Sequence, residues 1–336
     1  MSQKIALVGE AWGEQEEIQR SPFVGAAGYE LTRMLTEAGV HRADCFLTNV
    51  FNLHPASNDI ETLCSSERTG SLPALRAGKY ILPQYLPEIQ RLYKELRDLK
   101  PNITILLGNT AAWALLHNTG IRKIRGTVVY SPVITGLKCL PTYHPAAVLR
   151  QWDIRPITTL DLAKAGREAA FPEIRRPQRD IYIEPTLADL EWYNKNFLLP
   201  ATRISFDIET AGRQITCIGF SPDEKSAIVI PFSDPRKPNG SYWQNETEEI
   251  AAWNFVRRVL TSPKPKTAQN GMYDIHFLLR AYGIPVTNFE DDTMLLHHAL
   301  QPESEKGLSF LGSVYTNEAS WKLMRSRGKT TIKRDE

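Results

Sequence analysis

The sequence predicts an α/β protein with two domains of different fold. Over residues 1–170, short apolar runs alternate with segments of helical spacing, which is typical of a mostly parallel sheet with helices on both faces. Residues 171–186 contain three prolines and clustered charges, a composition typical of a linker. From residue 187 to residue 336, three strands come first, followed by a helix, a strand and a helix. The second domain therefore does not repeat the first.

Each of the four strands predicted in the first domain is followed by a helix. The strands are "KIALVGE", "DCFLTNV", "NITILLG" and "GLKCLPTYHP", and the helices are "YELTRMLTEAG", "LPQYLPEIQRLYKELRDLKP", "NTAAWALLHNTG" and "AAVLRQWDI". In such sheets, ligands bind beyond the carboxyl ends of the strands. Glu10, Asn49 and His144 stand at three of these strand ends and mark the expected ligand-binding edge.

The second domain begins with a strand that carries two carboxylates. Its predicted elements are the strands "RISFDIET", "ITCIGFSP" and "SAIVIPF", a helix near residues 246–261, the strand "KTAQN" and the helix "MYDIHFLLRAYG". Asp207 and Glu209 flank Ile208, and the two-residue period of a strand puts both carboxylates on one face. Two adjacent like charges are costly unless a cation holds them, so the pair suggests a hard-metal site. The D-x-E pattern also occurs by chance at strand ends.

Composition excludes a membrane protein and leaves nucleic-acid binding open. Of 336 residues, 42% are hydrophobic and 23% are charged, and no apolar run approaches the roughly 18 residues that a membrane span needs. The N-terminus lacks the pattern of a signal peptide, so we expect a cytoplasmic protein without membrane partners. The net charge of +2 does not decide on nucleic acid. The basic residues 321–336 are interpreted as a solvated tail, with contact to a nucleic-acid backbone as the alternative.

The stretch from Val8 to Gly28, "VGEAWGEQEEIQRSPFVGAAG", does not have the pattern of a phosphate-binding loop. Its glycines do not form G-x-G-x-x-G, no G-K-[ST] follows, and its four glutamates would repel phosphate. The stretch resembles the first motif of the uracil-DNA glycosylase superfamily, in the branch with G-E-x-P-G-x-x-E followed by P-F-V-G-x-A-G. "LTNV" (47–50) and "YHPAAVLR" (143–150) resemble two further motifs of that family, in the same order.

The resemblance implies a three-layer α/β/α glycosylase fold whose pocket takes a base flipped out of DNA. By it, Phe23 stacks on the base, and Asn49 reads its edge with an amide that both donates and accepts. His144 donates a hydrogen bond to the departing base, while Glu10 activates water or stabilises the cationic sugar. The remaining implied contacts are Glu16 beside C5 of the base, and Leu149 and Arg150 in a loop that enters the minor groove.

Departures from the family pattern concern the cofactor and the pocket. Members of this branch hold an iron–sulfur cluster with four cysteines, but Leu53 occupies one of those positions and Cys45, Cys64 and Cys139 do not match the others, so we expect no cluster. Ala11 replaces the catalytic aspartate of the archetypal branch, which leaves water activation to Glu10. Gly13 replaces a bulky tyrosine, which suggests room for 5-substituted uracils.

Residues 187–336 resemble the proofreading 3′–5′ exonuclease domain of family A DNA polymerases. The matching motifs are D-x-E (Asp207, Glu209) and N-x-x-x-D (Asn270, Asp274), followed by "DDTMLLHHALQPE". The resemblance implies an RNase H-like (DnaQ-type) fold in which Asp207, Glu209 and Asp274 bind Mg²⁺ or Mn²⁺ and Asn270 contacts substrate. The family's last motif, Y-x-x-x-D, has no counterpart, because Ala319 stands four residues after Tyr315.

Together the two domains resemble the polymerases of some large bacteriophages, which carry a glycosylase-like N-terminal domain. The expected function is uracil removal from DNA, with 3′–5′ trimming as a second activity, in the N-terminal part of a DNA polymerase. Expected partners are uracil-containing single strands or primer-template 3′ ends, and a polymerase module in cis or replication proteins. If the protein is encoded by a phage, the compartment is the cytoplasm of the bacterial host. The alternative is a module that senses uracil and binds DNA without catalysis.

Overall fold

The computed structural model describes residues 4–68 and 70–318, and these form two units. The first comprises the described residues up to Arg175 together with those from Leu311 onward, and the second comprises Arg176–Phe310. The described residues from Leu311 onward group with the first unit, although the exonuclease-like domain was expected to run from residue 187 to residue 336. No helix among the described residues has the length and apolarity that a membrane span requires.

A central sheet with strand order β2-β1-β5-β7-β6 forms the middle of the first unit. Strands β1, β2, β5 and β7 are parallel, while β6 runs antiparallel to β7, and β3 pairs with β4 in a separate hairpin. The strands are β1 (Ile5–Ala11), β2 (Cys45–Phe51), β3 (Cys64–Ser65), β4 (Tyr80–Ile81), β5 (Ile103–Leu107), β6 (Val129–Tyr130) and β7 (Lys138–Thr142). The helices are α1 (Glu14–Gln19), α2 (Ala26–Glu37), α3 (Leu86–Leu99), α4 (Asn109–Leu116), α5 (Ile121–Ile124), α6 (Pro145–Arg150) and α7 (Arg155–Glu168).

Two apolar cores cover the two faces of this sheet. Ile5 and Leu7 of β1 pack with Leu31 of α2 and Leu162 of α7, whereas Ala6 and Val8 pack on the opposite side with residues of α3 and α4. Successive strand residues point to opposite faces, so an unbroken apolar strand needs a helical layer on each side. This is the predicted three-layer α/β/α arrangement, and it brings the carboxyl ends of β1, β2, β5 and β7 to one edge.

The sheet of the second unit has the strand order β13-β12-β9-β10-β11-β8. Strands β9, β10 and β11 form an antiparallel meander, and β12 and β8 pair parallel to β9 and β11. The strands are β8 (Asp180–Tyr182), β9 (Ile204–Ala211), β10 (Gln214–Ser221), β11 (Ser226–Pro231), β12 (Lys266–Ala268) and β13 (Phe289–Asp292). The helices are α8 (Leu187–Tyr193), α9 (Glu246–Leu260), α10 (Met272–Tyr282) and α11 (Thr293–Leu300), and α12 (Leu308–Tyr315) spans the boundary at Leu311.

The expected linker 171–186 contains a strand of the second sheet. Asp180–Tyr182 form β8, which pairs with β11 at the edge of the sheet. Asp180 and Ile181 are exposed, as is usual for an edge strand, so the segment lacks the alternating apolar pattern that reveals a half-buried strand. The prolines and charges around it therefore concealed a short strand.

A buried ion pair joins the middle of the first unit to its last described segment. Arg125 and Asp161 are 3% and 1% exposed, and the guanidinium binds both carboxylate oxygens. Arg125 also donates to the hydroxyl of Ser313 at 3.0 Å, and Asp161 accepts a bond of 2.6 Å from Thr142 at the end of β7. Nearby, the ammonium of Lys164 donates to the carbonyls of Gly126, Ser313 and Thr316. Burial lowers the pKa of Lys164 to about 8.

Replacing Arg125 by methionine is expected to destabilise the first unit by about 3–5 kcal/mol, because it leaves the carboxylate of Asp161 buried without a cation. Urea unfolding measures this change. Lys94→Met is the matched control, since the Lys94–Asp98 pair is exposed and screened by solvent and is expected to contribute little to stability. Equal losses in the two variants would contradict a structural role for the buried pair.

Candidate functional site

A cavity of about 410 Å³ opens at the carboxyl edge of the first sheet. Its lining comes from the ends of β1, β2 and β5 and from the starts of α2, α4 and α6. All residues predicted to act in the glycosylase-like domain line this cavity, except Leu149. They are Glu10, Gly13, Glu16, Phe23, Asn49, His144 and Arg150. The sheet topology thus brings together residues up to 140 positions apart in the sequence.

Phe23 lies in the wall of the cavity with an unusual backbone. Its φ is +56°, in the left-handed region that non-glycine residues seldom adopt, and its side chain is buried. The ring centroid lies 6.1 Å from that of His144, with 33° between the planes. Gly28 makes this turn sterically feasible, because a Cβ there would lie 1.9 Å from the carbonyl oxygen of Phe23.

Two side chains hold the Phe23 turn from either side. Oε1 of Glu16 accepts hydrogen bonds from the amides of Val24 at 2.9 Å and Gly25 at 2.8 Å. The guanidinium of Arg42 donates to the carbonyl of Phe23 at 2.8 Å. Arg42 was not recognised from the sequence, because it stands in a short turn outside the family motifs.

Glu16 partly fills the space that Gly13 was expected to leave open for 5-substituted uracils. Oε2 of Glu16 lies 2.8 Å from the point where a Cβ of Gly13 would stand. The room left by the absent side chain of Gly13 therefore holds a carboxylate oxygen.

Asn49 combines deep burial with a side chain that has no protein partner. It is 2% exposed at the end of β2, and its backbone carbonyl accepts a bond of 2.9 Å from Arg91. Within residues 4–68 and 70–318, its side-chain amide makes no hydrogen bond. A Cβ on Gly9 would lie 2.1 Å from Oδ1 of Asn49 and 2.5 Å from Cζ of Phe23, so only glycine at position 9 leaves space for both side chains. Asn49 lines the cavity, so its amide can both donate to and accept from a molecule bound there.

His144 begins α6, and its hydrogen bonding fixes the tautomer of the neutral ring. The amide of Ala146 donates to Nδ1 at 3.2 Å, so the ring proton is on Nε2. Burial lowers the pKa of His144, and the negative charge of Glu10 offsets this only in part. His144 is therefore a neutral hydrogen-bond donor at neutral pH.

Glu10 is half-buried at the end of β1, and Oε2 of its carboxylate accepts a hydrogen bond from the hydroxyl of Thr110. Thr110 was not predicted, because it stands in the first turn of the helix "NTAAWALL" outside the family motifs. Arg150 is exposed and lines the cavity, whereas Leu149 does not line it and is 47% exposed beside it on α6.

The three predicted carboxylates of the second unit lie near one another on β9 and α10. Asp207 and Glu209 are exposed on one face of β9 and Ile208 is buried, as the two-residue period predicts. Asp274 is buried in the first turn of α10, and its Oδ1 accepts a bond of 2.9 Å from the amide of Ile208. Burial raises the pKa of Asp274 to about 6, and burial and then the charge of Glu209 raise the pKa of Asp207.

Asn270 and Asp292 shape the turn before α10. Asn270 has a left-handed backbone with φ +57° and an exposed side chain. The buried carboxylate of Asp292 accepts hydrogen bonds from the amides of Asn270, Gly271 and Met294 at 2.8–3.0 Å. The structural part played by Asp292 was not predicted, although an aspartate just before a helix is a common N-cap.

The carboxylates of the second unit do not form a complete metal site. In the part of the chain that the structure describes, no group of three or more His, Cys, Asp or Glu side chains is placed to hold a metal ion. Asp274 is already bound to the backbone of β9 through Oδ1. Ala319 and the basic residues 321–336 lie outside the described residues.

Family comparisons match both units. The uracil DNA glycosylase superfamily matches residues 1–165, and a 3′–5′ exonuclease family matches residues 186–334. The type-4 uracil-DNA glycosylase of Archaeoglobus fulgidus is 33% identical over 170 residues, covering 48% of this chain and 75% of that protein. The corresponding enzyme of Pyrobaculum aerophilum is 36% identical over 167 residues, covering 47% and 74%. A DNA polymerase of Bacillus phage SP01 is 23% identical over 325 residues, which are 88% of this chain and 32% of the polymerase.

These matches confirm the predicted order of folds, a glycosylase fold followed by a DnaQ-like exonuclease fold. Three glycosylase motifs and one continuous cavity lie within the matched part of the first unit. The aligned 170 residues are 33% identical to the Archaeoglobus fulgidus enzyme and cover 75% of its length. The chain therefore belongs to the uracil-DNA glycosylase superfamily, and a 3′–5′ exonuclease domain follows the glycosylase unit.

Proposed function

We propose that the first unit binds uracil flipped out of DNA and hydrolyses its N-glycosidic bond, which leaves an abasic site. One observation carries the proposal: a single cavity is lined by an aromatic ring, an unpartnered amide, a neutral imidazole donor and a carboxylate. These are the groups needed to stack on a pyrimidine, read its edge, stabilise its anion and bind water. The similarity to type-4 uracil-DNA glycosylases supports the same substrate.

The base is held by Phe23 and Asn49. The Phe23 ring supplies a flat apolar surface, and the Asn49 amide donates to O4 of uracil while accepting from N3–H. Cytosine presents an acceptor at N3 and a donor at C4, the reverse of uracil. An amide oriented with Nδ2 toward O4 and Oδ1 toward N3 therefore selects uracil over cytosine.

Bond cleavage depends on His144 and Glu10. As the bond between C1′ and N1 breaks, uracil leaves as an anion, and Nε2–H of His144 donates a hydrogen bond to its O2. A neutral donor suits this task because it stabilises the anion without a proton transfer. Glu10 orients a water molecule whose oxygen bonds to C1′, and its carboxylate takes up the proton that the water loses.

Arg150 and Leu149 are proposed to contact the DNA around the cavity. Both residues are exposed, which supports a contact of Arg150 with a phosphate and insertion of Leu149 into the gap that the flipped base leaves. Both side chains project from the short helix α6, which His144 begins.

Glu10→Gln and His144→Ala are each expected to slow uracil release from a single-stranded oligonucleotide by about 10²-fold or more, because each removes a group that acts in the transition state. Alkaline cleavage of the abasic product in single-turnover reactions measures the rate. Glu14→Gln and His41→Ala are matched controls, since both residues are exposed and outside the cavity. Tight binding of uracil DNA by the unaltered protein without release would favour the alternative, a non-catalytic uracil sensor, and overturn the enzymatic proposal.

We further propose that the first unit folds without an iron–sulfur cluster. Cys45 and Cys139 are buried in the cores on opposite faces of the sheet, and Leu53 packs against the core that contains Cys139. Burial raises the pKa of the Cys45 thiol to about 11 and also raises that of Cys139. Protonated thiols on different faces of a sheet are unsuited to a shared cluster.

Anaerobically purified protein is therefore expected to contain iron well below one atom per chain and to lack the visible absorption of a cluster. Elemental analysis and absorption spectroscopy measure this before and after incubation with ferrous iron and sulfide. Stoichiometric iron that is lost in Cys139→Ala would contradict the proposal. Cys217→Ala is the control, because Cys217 belongs to the second unit.

The second unit is proposed to bind Mg²⁺ or Mn²⁺ through Asp207 and Glu209 and to act on DNA 3′ ends. Its family match and its paired carboxylates support this, and the exonuclease fold normally depends on divalent metal. Similarity to the phage SP01 polymerase extends along both units. This supports a place for the chain beside a polymerase module.

Millimolar Mn²⁺ is expected to raise the melting temperature of the second unit by about 2–4 °C, because a bound cation relieves the repulsion between Asp207 and Glu209. Calorimetry with and without Mn²⁺ measures the shift. The double variant Asp207→Asn/Glu209→Gln is expected to lose it, while Glu191→Gln, an exposed residue of the same unit, is expected to retain it. An equal shift in both variants would place the cation elsewhere.

A further inference from the structure

We infer that Thr110 is a positioning residue that sets the orientation of the Glu10 carboxylate for water activation, an inference that rests on the proposed glycosylase function. The two residues are 100 positions apart and meet where the end of β1 lies beside the start of α4. Neither the family motifs nor the spacing of polar residues indicated Thr110.

Thr110 has a buried hydroxyl that is bonded to Glu10. The residue is 2% exposed, and its Oγ1 donates to Oε2 of Glu10. In the described residues, this hydroxyl is the one hydrogen-bond partner that the Glu10 carboxylate has. Oε1 of Glu10 is thus left for water or for the sugar, and the direction in which it points depends on a single bond.

The turn that leads into α4, residues 108–110, also packs against His144. Gly108, with φ +89°, donates its amide to the carbonyl of Thr142 at 2.8 Å, and a Cβ on Gly108 would lie 3.1 Å from Cβ of His144. The next residue, Asn109, accepts hydrogen bonds from the amides of Gly120 and Ile121 at 2.9 Å. The turn formed by residues 108–110 is therefore held by hydrogen bonds from neighbouring segments. His144 packs against Gly108 at its start, and Glu10 is bonded to Thr110 at its end.

This arrangement links the two groups that act on opposite parts of the scissile bond. The negative charge of Glu10 raises the pKa of His144, so the position of this carboxylate also affects how readily the imidazole is protonated. A carboxylate that rotates away from the sugar would lose its hold on the attacking water, while stacking by Phe23 and recognition by Asn49 would be unaffected. Removal of the Thr110 hydroxyl should therefore lower the rate of the chemical step and leave binding of the base unchanged.

The decisive comparison is between Thr110→Ser and Thr110→Cys, which differ by one atom and are both small enough for the site. Serine retains the hydroxyl donor and is expected to release uracil within about threefold of the unaltered rate. Cysteine has only a weak donor and is expected to be about 10- to 100-fold slower, the effect of losing a hydrogen bond to a charged group. Single-turnover release and the dissociation constant for uracil-containing DNA are measured for each, and the dissociation constants are expected to agree within about twofold.

A double-variant cycle separates positioning from general loss of structure. In the Glu10→Gln background, Thr110→Cys is expected to add no further slowing, because the carboxylate that it positions is already gone. Full additivity, or equal rates for the serine and cysteine variants, would overturn the inference while leaving the glycosylase proposal intact. Absence of release by the unaltered protein would instead overturn the proposed function itself. Melting temperatures of the variants within a few degrees of one another confirm that all are folded.

Discussion

The candidate active site depends on the left-handed backbone of Phe23. A non-glycine residue in this region costs on the order of 1–3 kcal/mol and persists only where its surroundings hold it. Here the Glu16 carboxylate binds the two amides that follow Phe23, and the Arg42 guanidinium binds its carbonyl. Gly28 removes the side chain that would otherwise collide with that carbonyl. With the turn held in this way, the aromatic ring lies against Gly9 and Asn49 and forms one wall of the cavity.

This constraint explains the spacing of residues in the first motif. Gly13 precedes α1, so Glu16 in its first turn points back toward the amides after Phe23. One oxygen of Glu16 stabilises the turn, and the other stands over Gly13 at the cavity wall. Glu16, which the sequence analysis counted among the glutamates that would repel phosphate and which the family resemblance puts beside C5 of the base, thus also accepts hydrogen bonds from backbone amides. Gly9 leaves room for the side chains of Phe23 and Asn49, and Gly28 leaves room for the backbone carbonyl of Phe23.

The sequence predicted the order of folds and most of the cavity, because both leave local signals. Apolar runs that end in polar residues identified the ligand edge, and the family motifs identified Phe23, Asn49 and His144. Helix α7 was missed because Asp161, Lys164 and Glu168 look like surface residues, yet each is buried in an ion pair or bonded to carbonyls. Partners far apart in sequence cannot be read from a single chain, and Thr110 with Glu10 is such a pair. The edge strand β8 leaves only the short apolar run of Ile181, Tyr182 and Ile183, which prolines and charged residues surround.

The two units differ in how far their sites are assembled. In the first, the aromatic, amide, imidazole and carboxylate groups already face one cavity. In the second, one carboxylate is bound to the backbone, and no group of three ligands forms among the described residues.

The function proposed for the first unit requires that the cavity bind uracil. A crystal structure of the Glu10→Gln variant with a uracil-containing single strand tests this most directly. The base is expected to stack on the Phe23 ring, with the Asn49 amide paired to its O4 and N3–H. Uracil that remains outside the cavity, or that enters it without contacting Asn49, would show that the cavity is not a uracil pocket.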